Sequence, residues 1–180
     1  MAVVEICDYD PAWKDWYLAV QDYIWPHISD YAIDMRHVGS TSITGMAAKP
    51  ILDIDIVVED FSQLDDIVAA LAGLGYNHVG NYGIEGREAF KRDALYLFPH
   101  HLYVCHKDSV ALQNHLLLKK HLENNAEAFE KYKTLKQSLA CSAGTIDSYC
   151  IQKTDFILSC LEAEGVAEKD IADIRRQNTE

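Results

Sequence analysis

Residues 37–58, HVGSTSITGMAAKPILDIDIVV, are the part of the sequence that decides the fold. They indicate the end of one strand, a Gly-Ser-Thr-Ser turn, a short excursion, and a second strand that carries Asp53 and Asp55. Side chains alternate between the two faces of a strand, so both carboxylates share one face and the aliphatic residues between them enter a core. We therefore predict that the two carboxylates lie side by side.

This acid pair and the turn before it indicate a binding site for a charged ligand. Two neighbouring carboxylates repel each other, and a divalent cation between them, usually Mg²⁺, removes the repulsion. If the turn at Gly39, Ser40, Thr41 and Ser42 opens a helix, its hydroxyl and N–H groups form an anion site. Together these features describe a nucleoside triphosphate site. The structural alternative is a turn glycine, a helix cap and aspartates that face solvent at a sheet edge.

The arrangement of Gly39-Ser40, a spacer, and then Asp53 and Asp55 separated by a hydrophobic residue resembles the signature of the nucleotidyltransferase superfamily that includes polymerase β. The whole block resembles more closely that of the GrpB family, which has a nucleotidyltransferase-like fold and also occurs fused to dephospho-CoA kinase. Further landmarks of this family follow along nearly the whole chain: Tyr9 to Trp13, Gly86 to Phe90, His101 to Val104, Leu116 to Leu122, Tyr132 to Lys136, and Tyr149, Lys153, Phe156 and Ile157.

The order of elements predicts an α+β fold with the acid-bearing strand near the centre of a mixed β-sheet, flanking helices, and a C-terminal helical segment that closes the pocket. The nucleotidyltransferase type of the sheet is what the resemblance implies. Residues 1–180 are expected to form a single domain, in which residues 107–180 are mostly helical. The resemblance further implies a metal-dependent enzyme that transfers a nucleoside monophosphate from a nucleoside triphosphate to a small acceptor. The alternative is a non-catalytic module on the same fold that binds a nucleotide or CoA-related ligand, or assists a partner such as dephospho-CoA kinase.

Asp53 and Asp55 are the predicted ligands of Mg²⁺ or Mn²⁺ and, with His101, the predicted catalytic residues. Two-metal transfer, as the resemblance implies, uses three carboxylates, and this strand supplies two. The neighbouring strand has His101 where the third would serve. Three alternatives stay open: Glu88 or Asp93 substitutes for it, His101 acts as the base, or the incomplete metal cage binds a nucleotide but transfers it poorly. The structural alternative for His101 is a half-buried histidine bonded to the backbone.

The predicted nucleotide and phosphate ligands surround the acid pair: Gly39, Ser40, Thr41, Lys49 and Arg87. By alternation, Lys49 lies on the strand face of the carboxylates, where it either neutralises them or holds a phosphate. Arg87 directly follows a glycine-rich loop. Lysines of the helical segment, such as Lys119, Lys136 and Lys153, either converge on the pocket or extend along helix faces into solvent.

The rest of the pattern predicts ordinary core elements. Helical periodicity from Trp13 to Ile24 indicates an amphipathic helix that ends near Trp25, because Pro26 follows. A second helix runs from Ser62 to Gly73, and the chain is helical again from Ser109 onward. The remaining apolar runs are predicted strands: Val3 to Cys7, Tyr31 to Val38, Tyr76 to Val79, Glu88 to Leu97 and His100 to His106.

Composition narrows the partners and the location. A formal net charge of -12 disfavours nucleic acid, because binding to it depends on basic residues at phosphates, whereas a small metal-complexed nucleotide is compatible with this charge. No apolar run approaches a membrane span, and the first residues lack the pattern of a signal peptide. The five cysteines contain no Cys-x-x-Cys pair and are expected to be reduced. These features predict a cytoplasmic protein without a membrane partner.

Overall fold

The computed structural model describes residues 6–92, 97–142 and 146–179, without the side chains of 140–142, 146–152 and 177–179. The elements in chain order are α1 (Ala12–Ile28), β1 (Asp34–Val38), a 3₁₀ turn (Ser40–Ser42), β2 (Leu52–Val58), α2 (Leu64–Gly73), β3 (Tyr76–Gly80), β4 (Arg87–Arg92), β5 (His100–His106), α3 (Val110–Asn124), α4 (Ala126–Ser142), α5 (Ile146–Ala163) and α6 (Glu168–Thr179). Most of the predicted strand at Val3 to Cys7 lies outside the described residues, as does the second half of the one predicted at Glu88 to Leu97.

The strands form one mixed sheet in the order β1-β2-β5-β4-β3. Only β2 and β5 run parallel, and the other pairs are antiparallel. The predicted α+β fold with a mixed sheet is confirmed, and the acid-bearing strand β2 is interior. Its register with β5 places Asp53 opposite His101 and Asp55 opposite Tyr103. Because partners across a ladder share a face, these four side chains lie on the same side of the sheet.

The opposite face of the sheet packs on α1 and α2 and forms the main core. Leu52, Ile54 and Ile56 of β2 are completely buried there, as alternation predicts. Burying each such side chain contributes about 1.5–3 kcal/mol. Trp13 of α1 joins the same core with 1% of its surface exposed.

The prediction that α1 ends near Trp25 was wrong, because the helix continues to Ile28 with Pro26 inside it. Proline lacks an N–H group, so one helical hydrogen bond is lost at this position. Ile24 and Ile28 are both fully buried in the main core, on either side of the proline. Their burial favours the last turn and offsets the lost bond.

The site face of the sheet is covered by the C-terminal helices. α3 contacts β1 and β5, while α4 and α5 pack on α3, and α6 packs on α5. These helices have their own hydrophobic clusters, separate from the main core. None of the described helices is long and apolar enough to span a membrane. Cys7, Cys105 and Cys160 are free thiols, and Cys141 and Cys150 belong to the part of the chain whose side chains are not described.

Candidate functional site

The turn after β1 lies directly against the first carboxylate of β2. Gly39 has φ 66° and ψ −173°, a conformation that side chains with a Cβ strongly disfavour. A Cβ at this position would lie 2.2 Å from Asp53 Oδ2. Glycine is therefore required here both for the backbone conformation and for the close approach. The structure thus places Gly39 in direct contact with Asp53, although the two residues lie in different parts of the block at residues 37–58.

The segment after Gly39 is only a three-residue 3₁₀ turn, Ser40–Ser42, and is too short for the helix dipole of a full helix. Ser42 Oγ donates to the carbonyl oxygen of Gly39 at 2.8 Å, and Thr41 Oγ1 is hydrogen-bonded to His37 Nε2 at 3.0 Å. Thr41 is also buried. The hydroxyl that remains for a ligand is that of Ser40, which lines the cleft described below.

Asp53 forms the outer of two carboxylate–imidazole pairs. Its Oδ1 accepts a hydrogen bond from His101 Nδ1 at 3.0 Å, and the two side chains are 34% and 56% exposed. Burial by itself raises the pKa of Asp53, but the hydrogen bond and charge of His101, together with the charges of His115 and Lys153, hold that pKa below its usual value. Asp53 is therefore ionised at neutral pH.

Asp55 forms the inner pair and has no exposed surface. Its Oδ2 accepts a hydrogen bond from His115 Nδ1 at 2.7 Å, whereas its Oδ1 is buried without a hydrogen-bond partner in the described part of the chain. Burial disfavours the charged ring of His115, but the charge and hydrogen bond of Asp55, followed by the charge of Asp53, raise its pKa above the usual value. The alternative that both aspartates face solvent at a sheet edge is wrong, because β2 is interior and Asp55 is covered.

His115 reaches Asp55 because of where α3 begins. Ser109 caps this helix, with its Oγ accepting the N–H of Leu112 at 3.2 Å. The helix then crosses the site face of the sheet, and its second turn places His115 over β2. The sequence predicted that the chain is helical from Ser109 onward, but it gave His115 no site role. Sixty residues separate it from Asp55, and no local motif marks the pair.

A cleft of about 260 Å³ separates the sheet from the C-terminal helices. Gly39, Ser40 and Asp53 line it on the sheet side, and Lys119 and Lys153 line it on the helical side. Lys119 Nζ donates to the carbonyl oxygen of His37 at 3.2 Å, which holds the amine near the turn. The cleft thus presents a carboxylate on one wall and two amines on the other, so a metal-complexed phosphate is a chemically matched ligand.

Five predicted site residues are not among those that line this cleft: Asp55 and Thr41, which are buried, and His101, Lys49 and Arg87. His101 borders Asp53 from the exposed end of β5. Lys49 lies close enough to Lys136 to lower its pKa. Arg87 lines a larger, adjoining cavity, and its guanidinium carbon lies 4.5 Å from the centroid of the Tyr103 ring.

The proposed substitute Glu88 is wrong as a third metal ligand. Its register partner is Val104, whose side chain belongs to the main core, so Glu88 lies on the opposite face of the sheet. It is bound there to His78, with Oε2 and Nε2 2.7 Å apart. The other candidate, Asp93, lies outside the described residues.

The acid pair supplies two carboxylates for a divalent cation, and the described residues do not complete a cage of three. Within the described ranges, no group of three or more His, Cys, Asp or Glu side chains is arranged to hold a metal ion. Mg²⁺, however, commonly uses only one or two carboxylates and takes its other ligands from water and substrate phosphates. The buried, unpartnered Asp55 Oδ1 beside Asp53 is the observation that favours such a cation.

Lys136 is expected to make stability depend on pH. It is 2% exposed and donates to the carbonyl oxygen of Ala47. Burial, followed by the charge of Lys153, lowers its pKa to about 7. Above this pH the unfolded chain still binds the proton and the folded protein does not, so stability rises with pH. Between pH 7 and 9 the wild type should gain about 2 kcal/mol more than Lys136→Met in urea denaturation. Identical pH dependence in both proteins would contradict this pKa.

The fold and the cleft define the class of protein: an α+β domain with adjacent strand carboxylates beside a glycine-serine turn. The family model described as GrpB protein matches residues 3–163. This chain belongs to the GrpB family, and the membership that the sequence motifs indicated is confirmed.

Two relatives and one solved structure agree with this assignment. UPF0157 protein SCO7215 of Streptomyces coelicolor is 30% identical over 168 residues, which cover 92% of this chain and 87% of that protein. UPF0157 protein YqkA of Bacillus subtilis is 29% identical over 160 residues, 88% of this chain but 46% of that protein. The crystal structure of conserved protein GrpB from Enterococcus faecalis superposes with a TM-score of 0.75 and 25% sequence identity. The match covers 98% of this chain and 100% of the Enterococcus faecalis chain. The Cid1 poly(U) polymerase with MgGTP bound matches at a TM-score of 0.49 and 14% identity, a likeness too weak to bear on activity.

Proposed function

We propose that this protein is a metal-dependent nucleotidyltransferase that moves a nucleoside monophosphate from a nucleoside triphosphate to a small acceptor. The observation that carries the proposal is the buried Asp55 Oδ1, which has no hydrogen-bond partner in the described chain and lies beside Asp53. A desolvated carboxylate oxygen without a partner is costly. Asp53 and Asp55 together would hold a divalent cation, and its charge would compensate this cost.

The residues that line the cleft, together with the buried Asp55 behind Asp53, divide the task of binding. Asp53 and Asp55 would hold Mg²⁺ or Mn²⁺, which when bound stabilises the charge on the transferring phosphate. Ser40, beside Gly39 in the turn, donates its hydroxyl to a phosphate oxygen. Lys119 and Lys153 on the facing wall bind the remaining phosphate charge and orient the nucleotide.

His101 is the proposed general base. The hydrogen bond from its Nδ1 to Asp53 fixes the orientation of the ring and leaves Nε2 to accept a proton. Its side chain is 56% exposed, so an acceptor hydroxyl can reach it. His115 has a different role in this proposal, because it holds the buried charge of Asp55 in place from within the fold.

We expect Asp53→Asn to weaken Mg²⁺-dependent nucleotide binding at least about tenfold. The substitution keeps the shape of the side chain and removes the charge that a cation needs. Calorimetric titrations with ATP, GTP, CTP and UTP, each with and without Mg²⁺, measure the effect. Glu88→Gln is a matched control, because it removes a carboxylate from the opposite face of the same sheet and should leave binding unchanged. The proposed function fails if no nucleotide binds the wild type, or if the affinity changes neither with Mg²⁺ nor in Asp53→Asn.

A non-catalytic binding module is the second candidate, and one observation favours it. Each carboxylate already holds an imidazole, at 3.0 Å for Asp53 and 2.7 Å for Asp55, and a third metal-binding acid is absent from the described residues. Such a module binds a nucleotide or CoA-related ligand, or assists a partner such as dephospho-CoA kinase. Mg²⁺-dependent release of pyrophosphate in the presence of an acceptor would separate an enzyme from this module. A cytoplasmic location stays a prediction.

A further inference from the structure

A second, larger cavity adjoins the cleft and has no role in the function proposed so far. Its volume is about 660 Å³, within the usual range of small-molecule sites. The loop around Gly83–Gly86, the first turns of α3, and α6 form its walls. Asn114 and His115 line both this cavity and the cleft. The two spaces therefore meet at α3, next to the buried carboxylate pair.

Arg87 is the unsatisfied group of this cavity. It opens β4, and its register opposite Cys105 places it on the site face of the sheet. Its guanidinium carbon lies 4.5 Å from the centroid of the Tyr103 ring, a contact that orients the planar group. Its Nε is buried without a hydrogen-bond partner, and across the described residues Arg87 makes no ion pair. Arg87 nevertheless lines the cavity, and an arginine guanidinium favours carboxylate and phosphate groups, which it binds through two parallel hydrogen bonds.

The loop beside Arg87 is packed in a way that keeps this space defined. Gly86 has φ 75°, and its carbonyl oxygen accepts the N–H of His106 at 2.9 Å. A Cβ at Gly86 would lie 2.7 Å from the Cβ of Ser109, the residue that caps α3. The loop is thus held against the start of α3, and Arg87 follows it directly into the sheet.

Charges around the rim restrict the ligand further. Four acidic side chains line the cavity: Glu85, Asp108, Asp170 and Asp173. Two further basic side chains also line it, Lys169 and Arg176, and Arg176 is paired with Asp173 at 2.9 Å. Acidic side chains in this lining disfavour polyanions such as nucleic acid, because the repulsion grows with the charge of the ligand. They disfavour less a compact molecule with one anionic group that Arg87 can bind.

We propose that this larger cavity is the acceptor site, and that it takes a small molecule with a single carboxylate or phosphate group, which Arg87 binds. The acceptor would extend from Arg87 toward His115 and Asn114, where the two spaces meet and the nucleotide cleft begins. The acceptor role rests on the proposed function, whereas the anion site does not. The sequence predicted that Arg87 binds the phosphates of the nucleotide. In this proposal Arg87 binds the acceptor instead.

The test uses two small fluorinated anions as probes, trifluoroacetate for a carboxylate and monofluorophosphate for a phosphate. Each is titrated into the full chain and followed by ¹⁹F NMR. We expect one of them to bind the wild type and to bind Arg87→Met at least about tenfold more weakly. The probe that binds identifies the anionic group. Arg176→Met is the matched control, because it removes a basic side chain from the rim of the same cavity and should change the affinity less than about twofold.

Three results would overturn the proposal: neither probe binds the wild type, Arg87→Met binds as the wild type does, or saturating Mg²⁺–ATP displaces the probe, which would place the anion in the cleft. If Arg87→Met does not fold, Arg87→Lys serves instead, since it keeps the charge and loses the two-pronged geometry. Arg87-dependent binding of a probe without any metal-dependent nucleotide binding would keep the anion site and overturn its acceptor role. Nucleotide binding together with a probe affinity that ignores Arg87 would leave the proposed function standing and overturn this inference.

Discussion

His115→Leu is expected to lower the free energy of unfolding by about 3 kcal/mol at neutral pH. Asp55 is wholly buried, and His115 Nδ1 is the donor to its Oδ2, at 2.7 Å. Asp55 Oδ1 has no partner of its own within the described residues. Leucine fills most of the volume of the imidazole but removes the hydrogen bond and the charge that His115 supplies to the carboxylate. Urea denaturation of the metal-free protein measures the loss.

The outer pair supplies the control for this experiment. His101 donates to Asp53 at 3.0 Å in the same way, but the two side chains are 56% and 34% exposed. Water can replace the lost partner there, so His101→Leu should cost less than about 1 kcal/mol. Equal losses in the two variants would mean that Asp55 is not held as a buried charge by His115.

Gly39→Ala is expected to lower the free energy of unfolding by about 3 kcal/mol. Gly39 has φ 66° and ψ −173°, and an alanine methyl group would lie 2.2 Å from Asp53 Oδ2. Either the turn or the carboxylate must move. Because both belong to the candidate site, metal-dependent nucleotide binding should also weaken at least about tenfold. Denaturation and calorimetry on the same sample measure the two effects.

Gly165→Ala is the control for Gly39→Ala, because it introduces the backbone strain of a positive φ without a steric clash. Gly165 follows α5 with φ 84°, and an added Cβ would have nothing within 4 Å. This variant should therefore lose about 1 kcal/mol from the positive φ alone. Nucleotide binding should not change. A Gly39→Ala variant that behaved like Gly165→Ala would show that the turn is not pressed against Asp53.

The strand and its acid pair could be predicted because one face of the sheet is packed. A sheet with a buried face imposes a period of two on each strand, and residues 52–56 show that period without interruption. Gly39 and Ser40, which precede this strand, belong to the same continuous block of sequence. The family resemblance and the local physics therefore lead to the same residues. The close approach of Gly39 to Asp53 is the structural reason for their common motif.

The second half of the site could not be predicted, because it depends on packing between distant segments. Nothing in a helical stripe distinguishes a histidine that faces a carboxylate from one that faces solvent, and His115 was therefore missed. The side chain of Glu88 was ambiguous until the register with β5 assigned it to the opposite face. Likewise, Pro26 indicates a helix end locally, whereas the burial of Ile28 decides otherwise.

The separation of the hydrophobic clusters bears on how the two walls of the cleft respond to substitutions. β2 packs in the main core, whereas the facing helices pack in a second cluster, which includes Leu122 and Tyr132 and also Ile43 from the segment after the 3₁₀ turn. Because packing effects decay with distance, substitutions in one interior leave the other nearly unaffected. A substitution on the helical wall is therefore expected to leave the strand that carries the carboxylates in place.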